Sequence, residues 1–145
     1  LLERADKTTR FLDVKYFTLL PNVDSVGSPL DLLLWSSVLK SVSAYNMFRQ
    51  QYKVVNPTNI VEFLILDKGF PRSVVHCLTE AEQSLYAISG TSFDHGYSNL
   101  AEKKLSKILS EVGAVSKVSP IQKNTFIVPA SSNFVCVASS VQIIC

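Results

Sequence analysis

Most of the groups that catalytic and metal chemistry draws on are scarce in this sequence. Its 145 residues hold two histidines, three cysteines and five glycines, and each scarcity removes a class of function. His76 and His95 show neither a His-x-x-x-His nor a Glu-x-x-His spacing, so no metal ligand set is visible. Cys77, Cys136 and Cys145 are odd in number and lack the Cys-x-x-Cys spacing of zinc and redox sites, so a disulfide framework is not expected. Cys77 falls among apolar helix positions and reads as a packed thiol. Its neighbour His76 points about 100° away around a helix and supplies no local base. The glycines stand singly at turns, so no loop offers successive N–H groups to a phosphate, and no Gly-x-Ser-x-Gly elbow presents a serine nucleophile. No catalytic residue, no cofactor and no metal is therefore expected.

An excess of charge of one sign is missing too. A net charge of +2 is too small to imply nucleic acid. The densest basic feature, Lys103, Lys104 and Lys107, has helical spacing and reads as a solvated face. No run approaches the roughly 18 apolar residues of a membrane span. The first residues also lack the basic-then-apolar order of a signal peptide. We expect a cytoplasmic protein with no membrane partner.

Acidic residues stop at Glu111: all 12 lie at or before it, and residues 112–145 carry only Lys117 and Lys123. A surface helix needs charge on its outer face, so this stretch does not read as helix. Residues 125–128 and 133–137 have strand propensity, interrupted by Pro120 and Pro129. Two origins fit. The stretch is sequence not native to the domain, which we favour because an isolated two-stranded hairpin is marginal in water, or it is a hairpin packed on the bundle. The expected division is a helical domain over residues 1–112 and an atypical, almost uncharged tail over 113–145.

What the chain does have is helical periodicity. Leu1, Ala5, Thr8, Leu12, Tyr16 and Leu19 recur at steps of four and three, predicting a helix to about residue 20, where Pro21 stops it. No capping residue precedes that helix, which reads as a chain cut within its first helix. Ser28-Pro29-Leu30-Asp31 joins an N-cap serine, a proline at the first helical position and an acid three residues after the cap. The second helix then carries Leu32, Trp35, Val38, Leu39 and Val42, with a kink at 41–43 before Tyr45, Phe48 and Tyr52. Asn56-Pro57 repeats the signal ahead of Ile60, Val61, Phe63, Leu64 and Leu66, a short and largely buried helix. Beyond Gly69 and Pro71, Val74, Leu78, Ala81, Leu85 and Ile88 form a heptad stripe that Gly90 ends. Asn99 and Glu102 make a capping box for a fifth helix with Leu105, Ile108, Leu109 and Val112. These elements predict an all-α, antiparallel bundle of about five helices, truncated, with an irregular or weakly β tail.

The charged residues allow two readings. Glu3 with Lys7, and Asp6 with Arg10, stand four apart in the favourable order and suit surface ion pairs of a few tenths of a kcal/mol. Alternatively Glu3, Arg4, Asp13 and Tyr16 face a cleft shared with Arg49, Tyr52 and Arg72, where arginine forks suit a carboxylate or phosphate. In Phe70-Pro71-Arg72-Ser73, Pro71 takes the first helical position and Phe70 staples the loop onto Val74 or Val75. Arg72 then sits against the dipole of a helix N-terminus, so it needs an anion. Glu62 or Asp67 is the expected internal partner, an outside ligand or protein the other.

The segments Leu2-Glu3-Arg4-Ala5-Asp6-Lys7-Thr8-Thr9-Arg10-Phe11-Leu12-Asp13-Val14-Lys15-Tyr16 and Glu62-Phe63-Leu64-Ile65-Leu66-Asp67-Lys68-Gly69-Phe70-Pro71-Arg72-Ser73-Val74 together resemble the alpha-E domain family. So do Trp35, the run Leu39-Lys40-Ser41-Val42-Ser43-Ala44, and Arg49 with Tyr52. The resemblance spans about residues 1–111. It implies a bacterial all-helical domain, typically encoded beside or fused to circularly permuted ATP-grasp proteins and transglutaminase-like cysteine peptidases. It further implies an accessory, partner-binding role in making or processing a peptide or amide-containing product, with ATP and a catalytic thiol supplied by those partners. The rival expectation is a helical enzyme or binder of an anionic small molecule in an inter-helix cleft.

Overall fold

The computed structural model describes residues 1–17, 28–90 and 96–115, the side chains of residues 16, 17 and 115 excepted. All regular structure among the described residues is helical: α1 (Leu2–Phe17), α2 (Pro29–Ser41), α3 (Tyr45–Gln51), α4 (Pro57–Leu66), α5 (Val74–Ser89) and α6 (Leu100–Val115). The starts follow the caps. The hydroxyl of Ser28 accepts the Asp31 N–H at 3.2 Å, Asn56 Oδ1 accepts the Thr58 N–H at 3.0 Å, and Asn99 Oδ1 accepts the Glu102 N–H at 2.9 Å. Pro29 and Pro57 occupy the first turn, where the missing N–H costs nothing. Gly90 ends α5 at φ 67°, a left-handed backbone that a side chain disfavours. The weak strands expected near 125–128 and 133–137 lie outside the described residues.

α5 is the hub, packed against α1, α4 and α6, while α2 packs against α1, α3 and α4. Two apolar clusters result. The first joins Trp35, Val38, Leu39 and Val42 of α2 to Phe48, to Ile60, Val61, Phe63 and Leu64 of α4, and to Leu12 of α1. Phe63 is its centre: Phe48 meets it edge-on at 5.5 Å and Phe70 stacks on it at 5.0 Å. The second cluster is aliphatic, with Val74, Val75 and Leu78 of α5 against Leu105, Ile108 and Val112 of α6. Ile65 touches both.

Four expectations need correction. The second predicted helix is two helices, because the chain stops at Val42 instead of kinking. The Ala44 N–H bonds the Leu39 carbonyl at 2.7 Å and the Ser43 N–H bonds the Lys40 carbonyl at 3.0 Å. That Schellman arrangement requires a left-handed residue, and Ser43 supplies it at φ 58°. Next, Pro71 is not the first residue of α5. Ser73 is the cap, accepting the His76 N–H at 3.1 Å, so Arg72 and Pro71 lie ahead of the helix in a turn.

Phe70, in turn, staples backward onto Phe63 of α4 and not forward onto Val74 or Val75. Finally, Ile88 is 83% exposed, whereas Tyr86 is buried. Glu102 bonds Ser89, three residues beyond Tyr86 and on its face, and Ile88 lies on the far side of the helix.

Candidate functional site

Arg72 shows how the charged residues are used. Its guanidinium reaches neither Glu62 nor Asp67. Nη1 donates to the Val42 carbonyl and to the Ser43 hydroxyl, each at 3.1 Å. Arg72 therefore puts a cation at the C-terminus of α2, where the helix dipole favours one and where a last-turn carbonyl lacks an intrahelical donor. The misplacement expected at the start of α5 disappears, because the side chain serves another helix. The Asp67 carboxylate is occupied elsewhere, accepting the Gly69 and Phe70 N–H groups at 2.9 and 2.7 Å. The turn is further pinned by the buried Thr8 hydroxyl, which donates to the Arg72 carbonyl at 2.8 Å, and by the Ser73 hydroxyl on the Asp67 carbonyl. His76 Nδ1 lies 2.8 Å from the Lys68 carbonyl and holds the same loop.

Arg49 and Tyr52 close α3. Arg49 Nη1 donates to the Lys53 carbonyl at 3.0 Å, a local contact on the exposed surface. Tyr52 stacks on Phe48 at 4.9 Å and lines a cavity of about 270 Å³ with Glu62, Phe63, Leu66, Asp67 and Lys68. Burial, then the Glu62 and Asp67 carboxylates, push the phenol up from its usual value, so it stays a neutral hydroxyl.

The α1 candidates adjoin the Arg72 turn through Thr8, whose hydroxyl lies 3.1 Å from the Arg4 carbonyl and 2.8 Å from that of Arg72. Glu3 pairs with Lys7 at 2.8 Å and Asp6 with Arg10 at 2.7 Å, as the spacing predicts. The hydrogen bond from Lys7, and then its charge, hold the Glu3 carboxyl below the ordinary carboxylate value. Arg4 and Asp13 are exposed. Arg4 lies near buried Cys77, whose thiol burial pushes up despite that charge and whose Sγ sits 3.4 Å from the Pro71 carbonyl. Cys77 is a packed thiol, 0% exposed. The Tyr16 side chain lies outside the described residues. Of the six candidates whose side chains are described, Tyr52 alone lines either of the two cavities described.

One polar centre escaped sequence reasoning, and a second was read only as half of a capping box. Lys15 is 0% exposed, and its ammonium lies 2.6 Å from Oδ1 of Asp31, itself 3% exposed, and 5.0 Å from the Trp35 ring centroid. The signal was in the stripe: Ala5, Thr8, Leu12 and Lys15 step by three, four and three, which places Lys15 on the inward face. The other is Glu102, also 0% exposed. Oε1 accepts Ser89 Oγ at 2.7 Å, Ser98 Oγ at 2.8 Å and Asn99 Nδ2 at 3.0 Å, and Oε2 accepts the Ser98 N–H at 2.7 Å. A buried carboxylate held by neutral donors ties the α5–α6 connection together. No group of three or more His, Cys, Asp or Glu among the described residues could hold a metal.

Helices begun by side-chain caps and joined by an inward ion pair define an all-helical domain. The family comparison agrees. The chain belongs to the Alpha-E family, whose model matches residues 1–127 and is described as a predicted alpha-helical domain with a conserved ER motif. Glu3-Arg4, in the first turn of α1, is the one Glu-Arg dipeptide in the sequence. The match runs past Glu111, where the resemblance was expected to lapse. Neither a curated protein nor a solved structure matches the chain.

Proposed function

We propose that the domain is a non-catalytic, partner-binding module of a system that makes or processes a peptide or amide-containing product. Its partners are a circularly permuted ATP-grasp protein and a transglutaminase-like peptidase, which supply the ATP and the catalytic thiol. The observation that carries this reading is an exposed leucine ridge on α2. Leu30 and Leu33, one turn apart, are 65% and 66% exposed, with Leu32 beside them at 36%. Single exposed leucines are ordinary, but neighbours at three-residue spacing make a continuous apolar strip of the kind that partners cover. Glu3, Arg4 and Asp13, open on α1 with exposed Phe11 and Val14, add polar contacts of the sort found at an interface rim.

The test is co-purification of the native full-length protein with its ATP-grasp neighbour. Leu30→Glu with Leu33→Glu should abolish association while leaving the melting temperature unchanged, since neither side chain is in the core. Retained association would overturn the ridge as the docking site. Micromolar ATP binding by the isolated domain in calorimetry would overturn the accessory role itself.

A further inference from the structure

We infer that the junction of α2 and α3 holds a binding site for the carboxylate of a small organic ligand. A cavity of about 360 Å³ there is lined by Lys40, Ser43, Tyr45 and Asn46, with no acidic residue among them. Its polar groups open to solvent and include several donors. Lys40 forms no ion pair among the described residues, its ammonium resting 5.5 Å over the Tyr45 ring, and the Asn46 amide and Tyr45 hydroxyl bond no described group. Behind the cavity wall, Arg72 Nη1 fixes the Ser43 hydroxyl at 3.1 Å and adds a second positive charge, also without a carboxylate partner among the described residues.

Two features select the ligand class. The lining itself carries one charge, Lys40, which matches a monoanion better than a phosphate dianion. Nη1 of Arg72 is already committed to Val42 and Ser43. The Tyr45 ring, half-buried, forms an apolar wall for an organic body attached to the carboxylate. The left-handed backbone at Ser43 keeps the hydroxyl in place between the guanidinium and the cavity. This site is independent of the leucine ridge on α2.

The experiment is a titration of the full chain followed by amide NMR, using N-acetylalanine, N-acetylalanine amide and inorganic phosphate as separate probes. N-acetylalanine should shift the backbone amides of Ser43, Tyr45 and Asn46, and the amide analogue, which lacks the carboxylate, should not. Lys40→Gln, at an exposed position, should weaken the affinity about tenfold or more by removing a charge-assisted hydrogen bond. Asn46→Ala gives a second variant with a smaller loss in the same direction. Equal shifts from the amide analogue, unchanged affinity in Lys40→Gln, or no shifts at all would overturn the site. Tighter binding of phosphate than of N-acetylalanine would overturn the assignment to a carboxylate.

Discussion

The two ends of α2 are completed by side chains from elsewhere in the chain, and they differ in how much water they see. At the N-terminal end Asp31 meets Lys15 of α1 in a pair from which solvent is excluded. At the other end Arg72, from the turn before α5, meets the carbonyl of buried Val42 in a part-buried bond and the Ser43 hydroxyl in an exposed one. Both obey the dipole, anion at the start and cation at the finish. The lesson is that equal electrostatic logic carries unequal energetic weight. A buried charge that loses its counterion cannot recruit water, whereas a part-buried neutral carbonyl beside an exposed hydroxyl loses less with its guanidinium.

Lys15→Met should therefore be the costlier change, at about 3–5 kcal/mol, because it leaves the buried Asp31 carboxylate facing no ammonium. Urea unfolding measures it, and the Lys15→Met, Asp31→Leu double variant should recover much of the loss. A small cost for the single variant would erase the contrast between the two ends. Arg72→Leu should cost about 1 kcal/mol in the same assay, the worth of a partly exposed hydrogen-bonded contact. A loss as large as that of Lys15→Met would show the guanidinium to be shielded in solution.

Ser43→Gly sharpens the C-terminal end further. It relieves about 1 kcal/mol of left-handed strain and forfeits a hydrogen bond of similar size, so the net change should stay within about 0.5 kcal/mol. In the Arg72→Leu background the bond is already gone, and the same substitution should be stabilising. Identical effects in both backgrounds would mean that the Ser43 hydroxyl and Arg72 are not coupled. The smallest effect belongs to Glu3 on the open face of α1. Its carboxyl titrates lower in the folded chain than in the unfolded one. Its contribution is thus present above the unfolded value and fades as pH falls through the folded value. Glu3→Gln should be slightly less stable than the parent at neutral pH and equal to it in acid, as followed by thermal melts.

Helix starts were legible because they are local. Ser28-Pro29, Asn56-Pro57 and Asn99 with Glu102 each announce themselves within four residues, and each caps as expected. Gly90 is legible for the same reason. Ser73 was missed because Pro71 offered a competing local start, and the choice depends on the distant Thr8 hydroxyl that pins the turn. Arg72 shows the same limit for a site residue. Its need for a partner follows from the helix dipole, but its partner lies thirty positions away on another helix. Lys15 was readable from the stripe alone, yet a lysine defaults to solvent until Asp31 is known to face it. Which contacts Glu3, Arg4, Arg49 and Arg72 make depends on how α1, α3 and the turn before α5 dock, which no local pattern encodes.

The ammonium of Lys15 lies against Trp35, the sole tryptophan of the chain. The indole is 1% exposed, tryptophan emission has one source, and that source sits at the junction of α1 with α2. Emission from the native protein will be blue-shifted, and a red shift will mark entry of water at this junction in particular. Stopped-flow traces of that signal follow α1 coming away from α2, separately from events between α5 and α6, without any added label.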